Sequence, residues 1–489
     1  MPPDEVTPTN GSESTVSYPI SALTIVLATP EQVFESHRRT YDGWELGQES
    51  IEEHLGRRAN IARFLSSFNE PGKHAVWVLV PRDDPRTLDF CCACETHRRT
   101  AIAHTKVVSQ SRSNDRKNTI DSASLSTPSP PSLSIGVEDV TAYGIGAVFT
   151  PKRFRGKGYA SHMMRLLHHV LAPPSSLEFP AAEWGTPPVI PPGFGNARIS
   201  YLYSDVGTSF YASCGPGVEK CGGWVVSSPK IVVWEVSTLE GALDGIQSSK
   251  PDVPEGPSVG RRWLDENALR YVLDQDANNF RNDLIRLRQN PQQVEATTTG
   301  LALSPPRDAP HDPLGGNAVP PVREQSMGEA RTRFALLPNS GNVDFLIRRC
   351  LFNLPPRMRG RGLSPESKWG AQLASASSGR GGKDTLDAFV AWVIESHEAP
   401  DRVLITRLRC PHSHLLSNLL SAAVEAAIEY GMTHIEVWNL PKDLRDAAVA
   451  SGLGGVESER NDHLSAVKWY GDHSEDQVEW IMNEKYSWC

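Results

Sequence analysis

The chain has 489 residues, of which 39% are hydrophobic, and its formal net charge is −9. A chain of this length has room for two or three domains. No stretch approaches the roughly 18 apolar residues of a membrane span, so we expect no membrane partner. The acidic balance argues against a general nucleic-acid-binding protein. The first residues lack the basic start and apolar segment of a secretory signal, which predicts a cytoplasmic location.

The cysteines give no paired framework, which is typical of a protein in a reducing compartment. Cys91, Cys92 and Cys94 are clustered, but no second group of ligands at zinc spacing accompanies them. We therefore interpret the three as buried thiols of a strand and predict no metal site.

Four segments are too polar, or too rich in proline, glycine and serine, to predict a packed structure: residues 1–17, 107–133, 288–328 and 360–384. Such segments cannot bury enough apolar surface to offset the entropy lost on ordering. We interpret the first as a disordered N-terminus and the others as disordered insertions. The prediction is a first domain over residues 18–240, a linker over 241–260 and a second domain over 261–489.

The first half predicts these elements in chain order: a strand at 21–28, helices at 30–39 and 51–64, strands at 74–81, 88–103 and 137–150, a helix after Gly158, a strand at 198–204, a short helix through Phe210 and Tyr211, and strands at 223–226 and 230–236. Strand pairs followed by a strand–helix–strand unit favour the α/β class, in the form of an α+β fold with a mixed sheet. We expect a mixed sheet with helices on both faces.

The loop between the fourth strand and its helix, TPKRFRGKGYA (residues 150–160), carries four cations and two glycines. Glycines let a backbone approach a phosphate closely, and the first N–H groups of a helix favour an anion. The segment is neither a dinucleotide fingerprint nor a Walker loop, because the third glycine is missing and Lys157 is followed by Gly158. The pattern predicts a phosphate-binding loop, with an exposed basic turn as the alternative.

The second half repeats part of this order, with strands at 387–394 and 403–409, a helix at 413–430 and a strand at 432–440. Here the strand is joined to the helix by residues 409–412, Arg-Cys-Pro-His, which contain no glycine. We therefore predict a similar architecture without the phosphate-binding loop.

Two motifs carry a family resemblance. Residues 153–160 resemble the Arg/Gln-x-x-Gly-x-Gly/Ala signature of the GNAT N-acetyltransferases, and Tyr211 and Gly215 match the Tyr-x-x-x-Gly spacing found after the fifth strand of that fold. The resemblance implies a GNAT fold, a GNAT-like second domain and acetyl-CoA as co-substrate. It also implies that acetyl-CoA contacts these residues: Val148, Phe149, Thr150, Arg153, Phe154, Arg155, Gly156, Lys157, Gly158, Tyr159 and Ala160.

Longer strings in both halves resemble the fungal acetyl-CoA:L-lysine N6-acetyltransferase family: CETHRR, DVTAYGIGAVFTPKRFRGKGYA, LYSDVGTSFYASCG and the final WIMNEKYSWC. The resemblance implies acetylation of the side-chain amine of free L-lysine, a step of lysine degradation. The stretch PGVEKCGG (residues 216–223) departs from the pattern, because it is longer than usual for a GNAT chain.

The resemblance assigns Tyr211 as the acid that protonates the leaving thiolate. A phenol with a pKa of about 10 suits that role, and a core tyrosine is the alternative. The acceptor amine must lose a proton, since a lysine ammonium has a pKa of about 10.4. Asp139, on the same strand face as Tyr143, is one candidate base, directly or through a water, and Glu95 is the other. A backbone N–H near Val148 would stabilise the developing oxyanion.

Other assignments remain open from the sequence alone. Arg98 and Arg99 are candidates for binding a substrate carboxylate, with a surface position as the alternative. The acceptor could be a protein lysine, an N-terminus or another small amine, and a non-enzymatic CoA-binding scaffold is a third interpretation. The aromatic end of the chain, residues 480–488, predicts a docked tail whose final Cys489 carboxylate enters the site or only packs nearby. The oligomeric state is not predicted.

Overall fold

The computed structural model describes residues 17–44, 50–64, 73–108, 133–227, 229–248, 259–289, 332–339, 341–375, 385–396, 400–472 and 477–488. In those ranges the strands are β1 (Leu23–Leu27), β2 (His74–Pro81), β3 (Cys92–Val108), β4 (Leu133–Phe149), β5 (Ile199–Ser204), β6 (Val225–Val226), β7 (Lys230–Glu235), β8 (Val259–Leu264), β9 (Thr332–Leu336), β10 (Gly370–Ser375), β11 (Thr385–Glu395), β12 (Arg402–Arg409), β13 (His434–Trp438), β14 (Val456–Glu459), β15 (Leu464–Trp469) and β16 (Val478–Trp480).

The α-helices in the same ranges are α1 (Pro30–Trp44), α2 (Ile51–Phe64), α3 (Tyr159–Leu171), α4 (Ala181–Trp184), α5 (Ser209–Ala212), α6 (Val236–Ser248), α7 (Glu266–Gln289), α8 (Asn342–Phe352), α9 (Pro356–Arg359), α10 (Leu416–Tyr430) and α11 (Lys442–Ala450).

The first sheet is built around the long antiparallel hairpin of β3 and β4. Its order is β1-β2-β3-β4-β5-β15-β6, with β9 pairing β3 and β16 pairing β9. β2 and β9 pair with different halves of β3, and β5 runs parallel to β4. Successive side chains of each strand point to opposite sides of the sheet, so the sheet has two distinct faces.

Helix α3 covers one face of this sheet. It buries Met163, Leu166, Leu167 and Val170 against apolar residues of β3, β4 and β5, among them Cys94. The opposite face carries another cluster in which the end of the chain, including Trp480 and Tyr486, packs against Tyr201 of β5. Helices α1 and α2 also approach that face, as their contacts with Glu95 of β3 demonstrate.

The second sheet has the order β14-β7-β13-β12-β11-β10-β8. Its one parallel pair, β12 with β13, is connected through α10, which gives the same strand–helix–strand unit as β4, α3 and β5. The fold is therefore a mixed α/β architecture with two mixed sheets, as the order of elements predicts.

Strands cross between the halves of the chain. β7 precedes the expected linker but lies in the second sheet, whereas β9, β15 and β16 come from the second half and lie in the first. Each sheet therefore depends on both halves of the chain, and the domain boundaries read from composition remain a prediction.

Some segments differ from what their composition suggests. Residues 241–248 of the expected linker are the end of α6, and β10 lies within the segment 360–384. β10 forms because Ala371 and Leu373, though surrounded by glycine and serine, alternate and become buried. β3 and β4 reach Val108 and Leu133, whereas 109–132 of the expected insertion, and residues 1–16 and 290–328, lie outside the described residues.

Candidate active site

The strands β4 and β5 part at the centre of the first sheet. Their parallel ladder ends at Ile145 opposite Leu202, while β4 continues to Phe149. Opposite β3 the register shifts between the pairs Ala93–Phe149 and Glu95–Gly146, so β4 contains one extra residue there. Ala147, inside this bulge, has a φ of 52°, which is uncommon for a residue with a side chain. Beyond Ile145 and Leu202 the two strands no longer pair, and we call this end of the β4–β5 pair the gap.

The predicted loop leads from the end of β4 into α3. Gly156 and Gly158 have φ values of 73° and 78°, and a Cβ built on either would meet nothing within 4 Å. Gly158 is the N-cap of α3 and no side chain caps this end. The glycines are needed for left-handed backbone next to open space, and the first N–H groups of α3, which no side chain caps, follow them directly. This arrangement can hold an anion such as a phosphate.

Two of the four cationic side chains of the loop, Arg153 and Lys157, lie near one buried ring. Phe154 is buried against Tyr159, with ring centroids 5.9 Å apart. The Arg153 guanidinium lies 5.0 Å from the Phe154 centroid and also pairs with Asp89. The Lys157 ammonium lies 5.7 Å from the same ring. The loop thus combines a fixed backbone with positive charge.

Tyr211 lies in the short helix α5, directly after β5. Its ring contacts Phe210 and Trp224, at centroid distances of 4.9 and 6.4 Å. Among the residues that the structure describes, none forms a hydrogen bond with its hydroxyl. Burial, and then the nearby thiols of Cys92 and Cys94, raise the pKa of Tyr211 above its ordinary value. The phenol is therefore protonated at neutral pH and can act as a proton donor, not as a base.

The unusually long segment 216–223 folds back onto α5. A Cβ on Gly215 would lie 1.9 Å from the Cys221 carbonyl oxygen, and one on Gly223 would lie 2.0 Å from the Tyr211 carbonyl oxygen. Both positions therefore require glycine because two backbones touch there.

Arg165 of α3 holds this segment in place, and sequence reasoning missed it. Its guanidinium donates to the carbonyl oxygens of Ser213, Gly217 and Val218 at 2.8, 2.7 and 2.9 Å. The signal was one arginine within the apolar face of α3. Through Arg165 the helix that begins at the loop also positions the segment that follows Tyr211.

Glu95 lies beside the β4 bulge, on the sheet face opposite α3. It pairs with Arg58 of α2, and its oxygens lie 2.9 Å from His74 Nε2 and 3.6 Å from His37 Nε2. Burial alone would raise the pKa of Glu95, but Arg58, His37 and His74 hold it well below its usual range. The structure therefore places an ionised carboxylate and two imidazoles next to the gap.

Asp139 lies far from this group. It is seven residues before Gly146 on β4, which corresponds to about 23 Å along an extended strand. Its side chain is 55% exposed and pairs with Arg281 of α7. The structure thus brings Glu95 and the loop to the same end of β4 and leaves Asp139 near the middle of the strand. Tyr143, which shares the Asp139 face in sequence, is buried and donates to Asn196 Oδ1 at 2.9 Å.

Arg98 and Arg99 lie opposite Tyr143 and Ala142 of β4. As successive residues of a strand they point to opposite faces, so a single carboxylate cannot contact both in the same way. Arg99 shares its face with Glu95, and its Nη1 is buried without a hydrogen bond among the described residues.

One group of side chains has the geometry to hold a metal ion, which the sequence did not predict. Ligand atoms of His74, Glu95 and His97 all lie within 4.8 Å of one another. Arg58 already pairs with Glu95, so a cation there would have to displace the guanidinium. Cys91, Cys92 and Cys94 are buried in β3 and before it, and burial raises the pKa of Cys91 and of Cys92 to about 12, so both are thiols rather than thiolate ligands.

The predicted docked tail is present in the structure. Tyr486 is fully buried and donates to the Leu336 carbonyl oxygen at 2.8 Å, and Ser487 Oγ lies 2.7 Å from the hydroxyl of Tyr203. The tail thus contacts β5 of the first sheet as well as β9. The C-terminal carboxylate of Cys489 lies outside the described residues.

Part of the chain is similar to a known family. Residues 321–489 match the family model described as the LYC1 GNAT-like C-terminal domain, which confirms the GNAT-like character of the second part of the chain.

A curated protein of Yarrowia lipolytica named "Lysine acetyltransferase" is 28% identical over 162 residues, which are 30% of this chain and 38% of that protein. This chain therefore matches less than half the length of that relative.

Two solved structures are similar over most of the chain. A GCN5-related N-acetyltransferase from Kribbella flavida is 12% identical with a TM-score of 0.41, covering 91% of this chain and 70% of its own. A conserved protein of unknown function from Enterococcus faecalis V583, titled as a probable N-acyltransferase, is 9% identical with a TM-score of 0.43, covering 92% of this chain and 72% of its own.

None of the helices within the described ranges is long and apolar enough to cross a membrane.

Proposed function

We propose that this protein is an acetyl-CoA-dependent N-acetyltransferase that acetylates the side-chain amine of free L-lysine. The observation that carries the transferase proposal is the gap between β4 and β5, which has the glycine loop at its edge and the Tyr211 helix after β5. The choice of lysine rests on the relative named lysine acetyltransferase and on the strings shared with that fungal family.

The residues at the gap fit acetyl-CoA. The uncapped start of α3 and the open space over Gly156 and Gly158 suit a pyrophosphate, with Arg153, Arg155 and Lys157 adding positive charge. Bound acetyl-CoA would supply the acetyl group as a thioester. We assign Val148 to Ala160 to its binding.

The roles of the protein groups follow from their charge states. Glu95, with His37 and His74, accepts the proton that the substrate ammonium must lose, because it is the ionised carboxylate nearest the bulge. A backbone N–H near Val148 donates to the oxygen that gains negative charge. Tyr211 donates its proton to the departing thiolate, since its raised pKa keeps it protonated. Asp139 has no direct role in this proposal.

The test is to incubate the purified full-length chain with acetyl-CoA and L-lysine, and to measure thiol release and the product by mass spectrometry. We expect N6-acetyllysine. A lysine-containing peptide and 1,5-diaminopentane serve as competing acceptors. Rapid acetylation of the peptide without reaction of lysine would assign the acceptor to proteins. Binding of acetyl-CoA without transfer to any amine would identify a scaffold.

A further inference from the structure

A cavity is formed by residues that follow the glycine loop and the Tyr211 helix in the chain. Its volume is about 380 Å³, and its walls come from β7, β11, β12 and β13, from the segment 458–463 and from Lys485 of the tail. A volume of this order is typical of a small-molecule site. Residues 148–160 are not part of its lining.

Arg460 is the unusual residue of this cavity. It is 6% exposed, its Nη1 donates to the His463 carbonyl oxygen at 2.8 Å, and its guanidinium carbon lies 3.6 Å from the ring centroid of Trp438. Its Nε and Nη2 are both buried and have no hydrogen-bond partner among the described residues. Unpaired buried donors are costly, so two on one side chain indicate a missing partner.

The two unpaired nitrogens define the chemistry of that partner. Nε–H and Nη2–H lie on the same edge of a guanidinium and point in parallel. This fork matches two oxygens of one carboxylate, and such bidentate pairs are the strongest that arginine makes. Stacking on Trp438 fixes the plane of the fork.

The other buried charges of the cavity are paired with one another, whereas Glu459 and Asp462, which also line it, are exposed. Arg402 pairs with Glu395 at 3.0 Å and with Glu436 at 3.2 Å, and Lys485 Nζ lies 3.7 Å from Glu395. Among the cations of this cavity, Arg460 is the one for which the described residues supply no carboxylate within ion-pair distance. A ligand carboxylate would give its guanidinium that partner.

The cavity adjoins the gap through one residue of β5. The Trp438 and Tyr203 rings have centroids 6.0 Å apart, and Tyr203 follows Leu202, the last β5 residue paired with β4. Tyr203 points to the same sheet face as Tyr201, which is the face opposite α3.

We propose that this cavity binds the carboxylate of a free amino acid through Nε and Nη2 of Arg460, with Trp438 as the supporting surface. Where the amino acid is the acceptor, the inference rests on the proposed function, and Arg460 selects free amino acids over amines without a carboxylate. A second amino acid that regulates the enzyme would use the same contact. The two alternatives, a bound acceptor and a bound effector, predict different effects of an Arg460 substitution on the KM for L-lysine.

The first measurement is calorimetric titration of the full-length chain with L-lysine, 6-aminohexanoate and 1,5-diaminopentane. The variants Arg460→Lys, which keeps the charge but not the fork, and Arg460→Met should bind both carboxylates at least tenfold more weakly. Binding of the diamine should be unchanged. Arg261→Lys is the matched control, because Arg261 is exposed and lies 4.5 Å over the Trp263 ring outside the cavity. Thermal unfolding checks that the variants are folded.

The second measurement separates the two alternatives. If the acceptor occupies the cavity, Arg460→Lys raises the KM for L-lysine at least tenfold and leaves the KM for 1,5-diaminopentane unchanged. If an effector occupies it, binding of lysine depends on Arg460 while the KM does not. Either result supports the site, as does Arg460-dependent binding without acetylation, which would refute only the proposed function. Equal affinities of wild type and both variants for lysine and 6-aminohexanoate would overturn the site, whatever the acetylation assay gives.

Discussion

The hydroxyl of Tyr211 is the group at the gap whose protonation state is easiest to infer. Burial raises its pKa and no described residue occupies it as a hydrogen-bond partner, so it is held as an available proton donor. Glu95 is the opposite case, because three neighbouring cations or imidazoles keep it ionised despite its burial. The surroundings of the two residues thus favour opposite charge states, a neutral phenol and an ionised carboxylate, which are the states that the proposed function requires.

The substitution Tyr211→Phe removes this donor and keeps the ring packed against Trp224. Turnover should fall by about 10²–10⁴-fold, the usual contribution of a general acid, with the affinity for acetyl-CoA unchanged. Steady-state kinetics and calorimetry measure the two quantities. Tyr143→Phe is the control, since that hydroxyl is used for structure. Normal turnover of Tyr211→Phe at saturating substrates would make Tyr211 a packing residue.

The pair Glu95→Gln and Asp139→Asn compares the two candidate bases. Glu95→Gln should reduce kcat by about 10²-fold or more, because it removes the buried carboxylate beside the bulge. Asp139→Asn should leave kcat nearly unchanged, since that exposed side chain pairs with Arg281 and lies seven residues along β4 from Gly146, the partner of Glu95. Rates measured from pH 6 to 9 compare the two variants. A large loss in Asp139→Asn with an active Glu95→Gln would reverse the assignment.

At the scale of elements, the site depends on where strands stop pairing. The bulge at Ala147 ends the ladder between β4 and β5, and the loop then turns into α3 through two left-handed glycines. Arg165 links α3 to the segment after α5, so the loop and the Tyr211 helix are joined by one helix.

The variant Gly158→Glu should weaken acetyl-CoA binding at least 100-fold, since a carboxylate would enter the space where an anion is expected and the helix start would no longer be open. Gly158→Ala separates charge from backbone strain, which costs about 1–2 kcal/mol at a left-handed position. Gly452→Glu is a matched control, with a φ of 71° and no atom within 4 Å of a built Cβ. Calorimetry with acetyl-CoA measures the affinity. Equal affinity in Gly158→Glu and Gly452→Glu would remove the loop from the site.

At the scale of the whole molecule, strands and aromatic residues from the end of the chain complete the first sheet. Trp480 of β16 lies 5.6 Å from Phe334 and 5.5 Å from Tyr201 between ring centroids, and β15 pairs directly with β5. The end of the chain is therefore part of the fold that carries the loop.

Trp480→Ala should lower the free energy of unfolding by about 3–5 kcal/mol, the usual cost of truncating a buried tryptophan. Urea denaturation followed by circular dichroism measures it. Ile428→Ala, at a position that is 50% exposed, should change it by less than about 0.5 kcal/mol. Equal stability of the two variants would contradict the packing of the tail.

Acid should destabilise the molecule through the histidines of α3. Burial lowers the pKa of His162 to about 4, against about 6.5 in the unfolded chain. Between these values the unfolded chain binds a proton that the folded chain does not, so stability is lost as the pH falls through this window. In His162→Gln the free energy of unfolding should fall by about 1.4 kcal/mol less per pH unit than in wild type across this window. Urea denaturation at pH 7 and pH 5 measures the stability of both proteins. An equal loss of stability between these pH values in His162→Gln and wild type would contradict the prediction. His414→Gln, at an exposed position, is the control.

The sequence by itself determined the local parts of this protein. The alternation of apolar residues gave the strands, and the glycine–cation loop and the spacing of Tyr211 and Gly215 indicated the site, because each is encoded by residues close together in the chain. The segments around β10 and the end of α6 were missed, since glycine and serine hide a short buried pattern that only packing stabilises.

Tertiary structure decided everything that joins distant residues. Only the fold brings Arg58, His37 and His74 to Glu95 and pairs Asp139 with Arg281. Only the fold places β7 in the second sheet and β9, β15 and β16 in the first. The physical reason is that strands pair with strands, and buried charges with charges, that lie from tens to hundreds of residues away in the chain, and no local pattern records which partner that is. The two unpaired nitrogens of Arg460 are another feature that only the tertiary structure decides, because this arginine lines a cavity only once Trp438 and the tail enclose it.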